Sequence, residues 1–496
     1  MRKRFEQQME LGVKPIAETL VRSKSRDDIP ALIKALLVIY TTPSYNEQVF
    51  AILEAKILSG KKATGRPGLN LWQIFVLAQF RLALDIDYDR LDDMVCSHSG
   101  LRQLLGIAND TDFGSDKFID FGYDRIVDNL RLLDDTTLKQ LNAVIVEFGH
   151  KEVFKKKDAE ALFVKSDSYV VESNVHFPTD YNLLWDCARK SLDTIEKISK
   201  GCPNLAGWRK TKDWRRVLKN GCRALGKASA GGGKNKERRV KKATEAYLNK
   251  AVLLSKKLHD TDIRLLADDM QTLSLAIVLD RFIELLDKHI DLVDRRLLKG
   301  EQIPHQEKMF SVFEDYTEWV NKGKSRPNVE LGKKVSITTD QYGLILDHLV
   351  MENCADSQIV IQTADRLLPL YKIDSWSFDK GYYHKDNKAH LKESIDQVVM
   401  PKKGKRNKTE TTEETTAAFK ELNNKHSTVE SNSNELEHCG LNRCPDKGYP
   451  AFKRYVAMGI TAYNLKRIGR ELLKQEREAL KRQKKKSYKT AALINN

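Results

Sequence analysis

The chain is poor in the residues that would commit it to several specialised classes. Its 496 residues include only 7 cysteines, an odd number thinly scattered, which argues against a disulfide framework and for reduced thiols in a cytosol. Proline (12) and glycine (26) are too few for a collagen-like or low-complexity chain. No apolar run approaches the roughly 18 residues of a membrane span, and Met1-Arg-Lys-Arg-Phe5 is not followed by the apolar stretch of a secretory leader. The expectation is a soluble, cytoplasmic protein with no membrane partner. Acid is short as well: 69 Asp+Glu face 85 Lys+Arg, a formal net charge of +16. What is present, 41% apolar residues, suffices for roughly two to four packed domains.

The positive excess is concentrated, which is the footprint of a polyanionic partner. Between Arg209 and Lys242 fourteen lysines and arginines stand against two acids, Asp213 and Glu237, with Trp208 and Trp214 interleaved. Arg209, Lys210, Arg215, Arg216, Arg238 and Arg239 are the candidate phosphate contacts, because neutralisation by Lys and Arg supplies most nucleic-acid affinity. A second basic run, Lys481-Arg-Gln-Lys-Lys-Lys486, reads equally as a solvated tail. Gly221-Cys-Arg-Ala-Leu-Gly-Lys-Ala228 imitates a P-loop, but alanine replaces the Ser or Thr that must bind Mg²⁺, and no strand precedes it. No nucleotide site is expected. Cys439 and Cys444 with His438 lack the second ligand pair of a zinc site and read as ordinary thiols.

Periodicity divides the chain. Residues 1–150 read as helices; Asn70 caps one in which Leu71, Ile74, Phe75, Ala78 and Leu82 recur, after a loop at 64–68. Ala161 to Val171 is β-rich and belongs to a first core segment, 155–180. Helical period returns over 181–325, where a stripe from Ile263 to Leu297 makes a long helix or helix pair. A second core segment, 326–470, begins with the hairpin Lys333–Thr339 and Leu344–Val350 about Asp340-Gln-Tyr-Gly343. Strands at Ser375–Phe378 and Gln397–Met400 follow, with helices between. Lys402–Thr416 is polar and expected as a mobile loop. Two helices close the pattern, and 471–496 is a basic tail.

Three acids sit where chemistry would want them: Asp167 inside the first strand, Asp379 at the end of Trp376-Ser-Phe378, and Glu430 on a later helix. A carboxylate within an apolar strand is expensive unless paired or metal-bound. Phosphoryl transfer with two Mg²⁺ ions needs carboxylates from separate elements. Taken one at a time, each acid reads more simply as a strand-edge, turn-capping or surface residue.

As an ordered set, Val164-Lys-Ser-Asp167 through Asp180, Leu331-Gly-Lys-Lys-Val335, Phe378-Asp379-Lys-Gly-Tyr382, His426-Ser-Thr-Val-Glu430, and the closing Leu436 to Asp446, Arg454-Tyr-Val-Ala457 and Asn464-Leu465 resemble the DDE transposases of bacterial insertion sequences, most closely the ISNCY group. The resemblance implies an α/β, ribonuclease H-like core of mixed sheet and helices, preceded by an all-α N-terminal domain and interrupted by a large helical insertion. It implies that Asp167, Asp379 and Glu430 are catalytic and hold two Mg²⁺ ions, for which Mn²⁺ substitutes. It further implies a bacterial, nucleoid-associated enzyme that works on DNA as a homo-oligomer. Water, then a freed DNA 3′-hydroxyl, would attack a phosphodiester. The basic insertion at 181–325, set within the core, would hold transposon-end DNA. Lys380, Tyr382 and His426 are candidate DNA contacts, and Glu172 a structural residue on the opposite strand face. Asn423, His426 and Glu437 stand where related enzymes carry Tyr, Arg and Lys about the Glu, so a hairpin-forming mechanism is not implied. A catalytically silent DNA-binding descendant and a nuclease of the same fold are the rival readings.

Overall fold

The computed structural model describes residues 4, 13–22, 24–25, 27–60, 68–108, 121–202, 205, 207–261, 269–321 and 329–494, without the side chains of 428–430 and 486–494. Most of the 64–68 loop, together with Ile263 and Leu266, lies outside these residues. Contacts divide the chain into two units, Met1–Asn174 with Val320–Asn496, and Val175–Trp319.

The discontinuous unit begins with α1 (Asp28–Thr41), α2 (Pro43–Ile57), α3 (Leu71–Ala83), α4 (Tyr88–Ser97), α5 (Ser99–Leu104), α6 (Tyr123–Leu130) and α7 (Asp135–Phe148). The Asn70 side chain accepts the Gln73 N–H at 2.8 Å, and Gln73 accepts the Asn70 N–H at 3.2 Å. This reciprocal cap fixes the start of α3, every residue of which is buried.

Alternation then produces β1 (Leu162–Ser173), the strand on which the sheet is organised. β2 (Glu318–Asn321) starts at the end of the second unit, and after it come β3 (Val329–Thr339), β4 (Ile345–Val350), α12 (Val360–Leu367), β5 (Ile373–Phe378), α13 (Lys385–Lys392) and β6 (Gln397–Val399). The last elements are α14 (Lys408–Thr415), α15 (Ala417–His426), α16 (Thr428–Leu436), β7 (Arg443–Cys444) and α17 (Tyr449–Ile494). The sheet runs β2-β3-β1-β5-β6, with β4 on β3 and β7 on β1. β3 is antiparallel to β1 and β4, whereas β5 and β7 run parallel to β1, and β6 parallel to β5. This is a mixed sheet among helices, an α/β arrangement. At the hairpin, Asp340 accepts the N–H groups of Tyr342 and Leu344 at 2.9 Å each, and Gly343 takes φ +77°.

Helix α17 fills the centre of this unit. Buried Asn464 accepts the Ile345 N–H and donates to the Ile345 carbonyl and to Asn142, each at 2.8–2.9 Å, tying α17 to β4 and α7. A Cβ at Gly469 would stand 1.8 Å from the Ala31 carbonyl oxygen, so only glycine lets α17 approach α1 this closely. Among the described residues no helix is long and apolar enough to cross a membrane.

Lys402–Thr416 departs from expectation, since it contains α14. Asn407 and Glu410 form a second reciprocal cap, and Glu410 and Glu414 pair with Lys402 and Arg406. Polarity argued for a loop, but these residues supply caps and ion pairs, which a helix can use without an apolar face.

The contiguous unit is built mainly of helices, α8 (Asp180–Gly201), α9 (Thr211–Ala230), α10 (Lys236–His259) and α11 (Met270–Val293). Its core includes Leu184, Leu192, Ile195, Leu218, Leu225, Tyr247, Leu254, Leu279 and Leu286.

Candidate active site

The parallel pairing of β1 with β5 sets Ser166 opposite Phe378. Asp167 is the next residue on β1 and Asp379 is the first residue past the end of β5, so the two acids come at one end of this pairing, on strands about 4.8 Å apart. Asp167 is half-buried and accepts the Ser168 N–H at 2.7 Å, whereas Asp379 is exposed where β5 ends. Neither strand could supply this pair alone. Two hard carboxylates on adjacent elements are the donor chemistry that suits a divalent cation. Glu430 lies on α16, and its side chain is outside the described residues. Among the described residues no three His, Cys, Asp or Glu side chains form a metal-holding group.

Alternation puts Lys165 and Asp167 on one face of β1 and Ser377 on the same face of β5, with Lys165 directly opposite Ser377 and Asp379 just past the end of β5. Helix α15 ends over this face. The Ser377 hydroxyl and His426 Nδ1 are 3.0 Å apart, and burial holds the His426 imidazole down to about 4, with Asp379 opposing and Lys165 reinforcing the shift. The imidazole is therefore neutral at pH 7. Burial, with Lys425 adding, lowers the Lys165 ammonium too. His426 closes α15 and a turn at Ser427 precedes α16, so His426 and Glu430 occupy successive helices rather than one.

The opposite face is largely covered. The Trp376 indole donates to Ser166 Oγ at 2.8 Å, Ser166 bonds Thr338 at 2.7 Å, and Tyr382 bonds Ser336 at 3.0 Å. Tyr382 is buried there, away from any surface DNA could touch, while Lys380 beside it is exposed. Glu172 receives two bonds from Arg443 at 2.6 and 3.0 Å, the structural role expected of it.

In the helical unit the basic residues separate by role. Arg215 is half-buried and bound to Asp193 and Glu196 of α8 at 2.8 and 2.5 Å. Arg216 is exposed beside Asp213, and Arg239 is exposed but donates to the Gly232 carbonyl at 2.7 Å. Arg209, Lys210 and Arg238 are exposed. Trp208 is buried, its indole bonded to Thr261 and its ring under Lys257, and Trp214 packs on the core, so both serve the helix body. Charge density in the sequence missed a finer pattern. Lys212, Arg216, Lys219, Arg223 and Lys227 follow one another at helical spacing as an exposed stripe along α9, about 22 Å long.

The seven cysteines form no disulfides with one another, and five of them are buried. Residues 290–465 match the family model of the transposase DDE domain. The match runs from the end of α11 into α17, spans β2 to β7 and includes Asp379 and Glu430, but Asp167 precedes it. It supports a DDE transposase and a DNA partner. No curated protein and no solved structure matches the chain.

Proposed function

We propose that the chain is a DDE transposase of a bacterial insertion sequence, of the ISNCY type, with a ribonuclease H-like core. It binds the ends of its mobile element, cuts a phosphodiester there and joins the freed 3′-end to target DNA. The observation that carries this reading is the β1–β5 register, which pairs Ser166 with Phe378, the residues directly before Asp167 and Asp379, acids distant in sequence. With Glu430 they would hold two Mg²⁺ ions, or Mn²⁺, which neutralise phosphate charge and ready a water or 3′-hydroxyl for attack. The carboxylates fix the position of the reacting phosphate, and the covered face of the sheet keeps them in place.

DNA is held by charge. The α9 stripe, with Arg209, Lys210, Arg238, Arg239 and Lys380, supplies phosphate contacts, and Arg216 belongs to the stripe. Arg215 supports α9 from behind. The N-terminal helices and the helical unit serve end recognition and assembly as a homo-oligomer on DNA, in the bacterial cytoplasm.

The test is a reaction of purified protein with a plasmid carrying its gene and native flanks, in Mg²⁺ or EDTA. Cuts at the flanks and joined products are expected with Mg²⁺ and absent with EDTA. Asp379→Asn should abolish both while end binding stays within about twofold, since a lost metal ligand leaves the phosphate contacts of α9 in place. Flanks that are bound but never cut, with Mn²⁺ as well, would favour a silent DNA-binding descendant; cuts without joining would favour a nuclease.

A further inference from the structure

Lys165 stands two residues before Asp167, and its register partner Ser377 stands two residues before Asp379. Asp379 lies just past the end of β5 and acts on His426 above Ser377, so the two acids form one row at the end of the pairing, with a cation and a hydroxyl in the next. The rows are about 6.6 Å apart along the strands, a distance comparable to the step from one phosphate to the next on a single DNA strand. His426, joined to Ser377 at 3.0 Å, sits over the second row, and Lys425 precedes it on α15. A row of acids suited to a metal-bound phosphate is thus followed by a row with one cation, a hydroxyl and a neutral imidazole.

We propose that Lys165 binds the DNA phosphate one step along the strand from the reacting one, with Ser377 and His426 shaping that subsite. This assignment rests on the DNA-cleavage reading above. A lysine ammonium is a compact point charge with three donors, suited to a non-bridging phosphate oxygen whichever base is attached. The subsite therefore sets the register of the strand in the site and reads no sequence. Its position on a strand, two residues from a metal ligand, makes that register stiff.

The experiment uses the full chain. Wild-type protein is first used to map its cut on the flanking DNA with Mn²⁺. Duplexes are then made with a neutral methylphosphonate at the reacting position or at either neighbour, and binding is measured in EDTA. Wild type should bind about tenfold more weakly when one particular neighbour is neutral, the order of one charge-assisted hydrogen bond. Lys165→Met should bind unmodified DNA more weakly by a similar factor and lose no more on that modified duplex, and Lys165→Arg should restore most of the affinity. A Lys165→Met protein that keeps its melting temperature and remains as sensitive as wild type to both neighbours overturns the assignment, as does one that binds unmodified DNA like wild type. If Lys165→Met melts early, Lys165→Gln carries the same comparison. Wild type that cuts no DNA would remove the cleavage reading and this assignment together, whereas wild type that cuts, with Lys165 indifferent, removes this assignment alone.

Discussion

Arg215 and Lys219 lie one turn apart on α9 and carry the same charge, yet they do different work. Arg215 is clamped by Asp193 and Glu196, while Lys219 faces outward in the stripe. Replacing Arg215 by alanine should lower the stability of the helical unit by about 1 kcal/mol in urea unfolding, a value held down because the pair is partly exposed. It should leave the salt dependence of DNA binding nearly unchanged. Charge density in the sequence revealed that this region is basic. It could not show which arginines face carboxylates on another helix, because that depends on how α8 lies against α9. Lys165 was missed for a different reason: its signal, a cation two residues before the acid on an alternating strand, was present but has meaning only once β5 is known to lie alongside.

At the scale of elements, strands were legible where β-branched and aromatic residues alternate between turn residues, as in β1, β5 and the β3–β4 hairpin. Helix α14 was not, because nothing apolar marks it and its caps and ion pairs carry the signal. Glu410 is held down to about 2 from its ordinary 4.5, first by Lys402 and then by the Asn407 amide. With the folded-state pKa depressed, its contribution is complete above about pH 4.5 and is lost as pH falls toward 2. Amides of α14 should therefore lose hydrogen-exchange protection between pH 5 and pH 2.5, beyond the intrinsic change in rate, and Glu410→Gln should flatten that dependence. A second element-level link joins α3 to the start of α17. Buried Arg81 meets Asp446 at 2.7 Å between the rings of Tyr88 and Tyr455. Asp446→Ala leaves that guanidinium buried and uncompensated, and should destabilise the unit by about 3–5 kcal/mol in denaturant unfolding.

For the whole molecule, a net charge of +16 matters through its distribution. Changing Lys212, Arg216, Lys219, Arg223 and Lys227 together to alanine should reduce the slope of log affinity against log salt by about 4.5, if each neutralises one phosphate. A slope that does not move would make the helical unit a scaffold. The division into two units has a consequence for how the protein is made. Val175–Trp319 is one unbroken stretch, so it can close its core as soon as it leaves the ribosome. The sheet-bearing unit cannot, because β1 emerges early and its neighbours β3 and β5 only after the whole helical unit. During translation, then, the unit that carries the basic α9 stripe is complete before β5 brings Asp379 to the end of the β1 pairing; on the function proposed above, a nascent chain passes through a stage that can hold polyanions before it can cleave them.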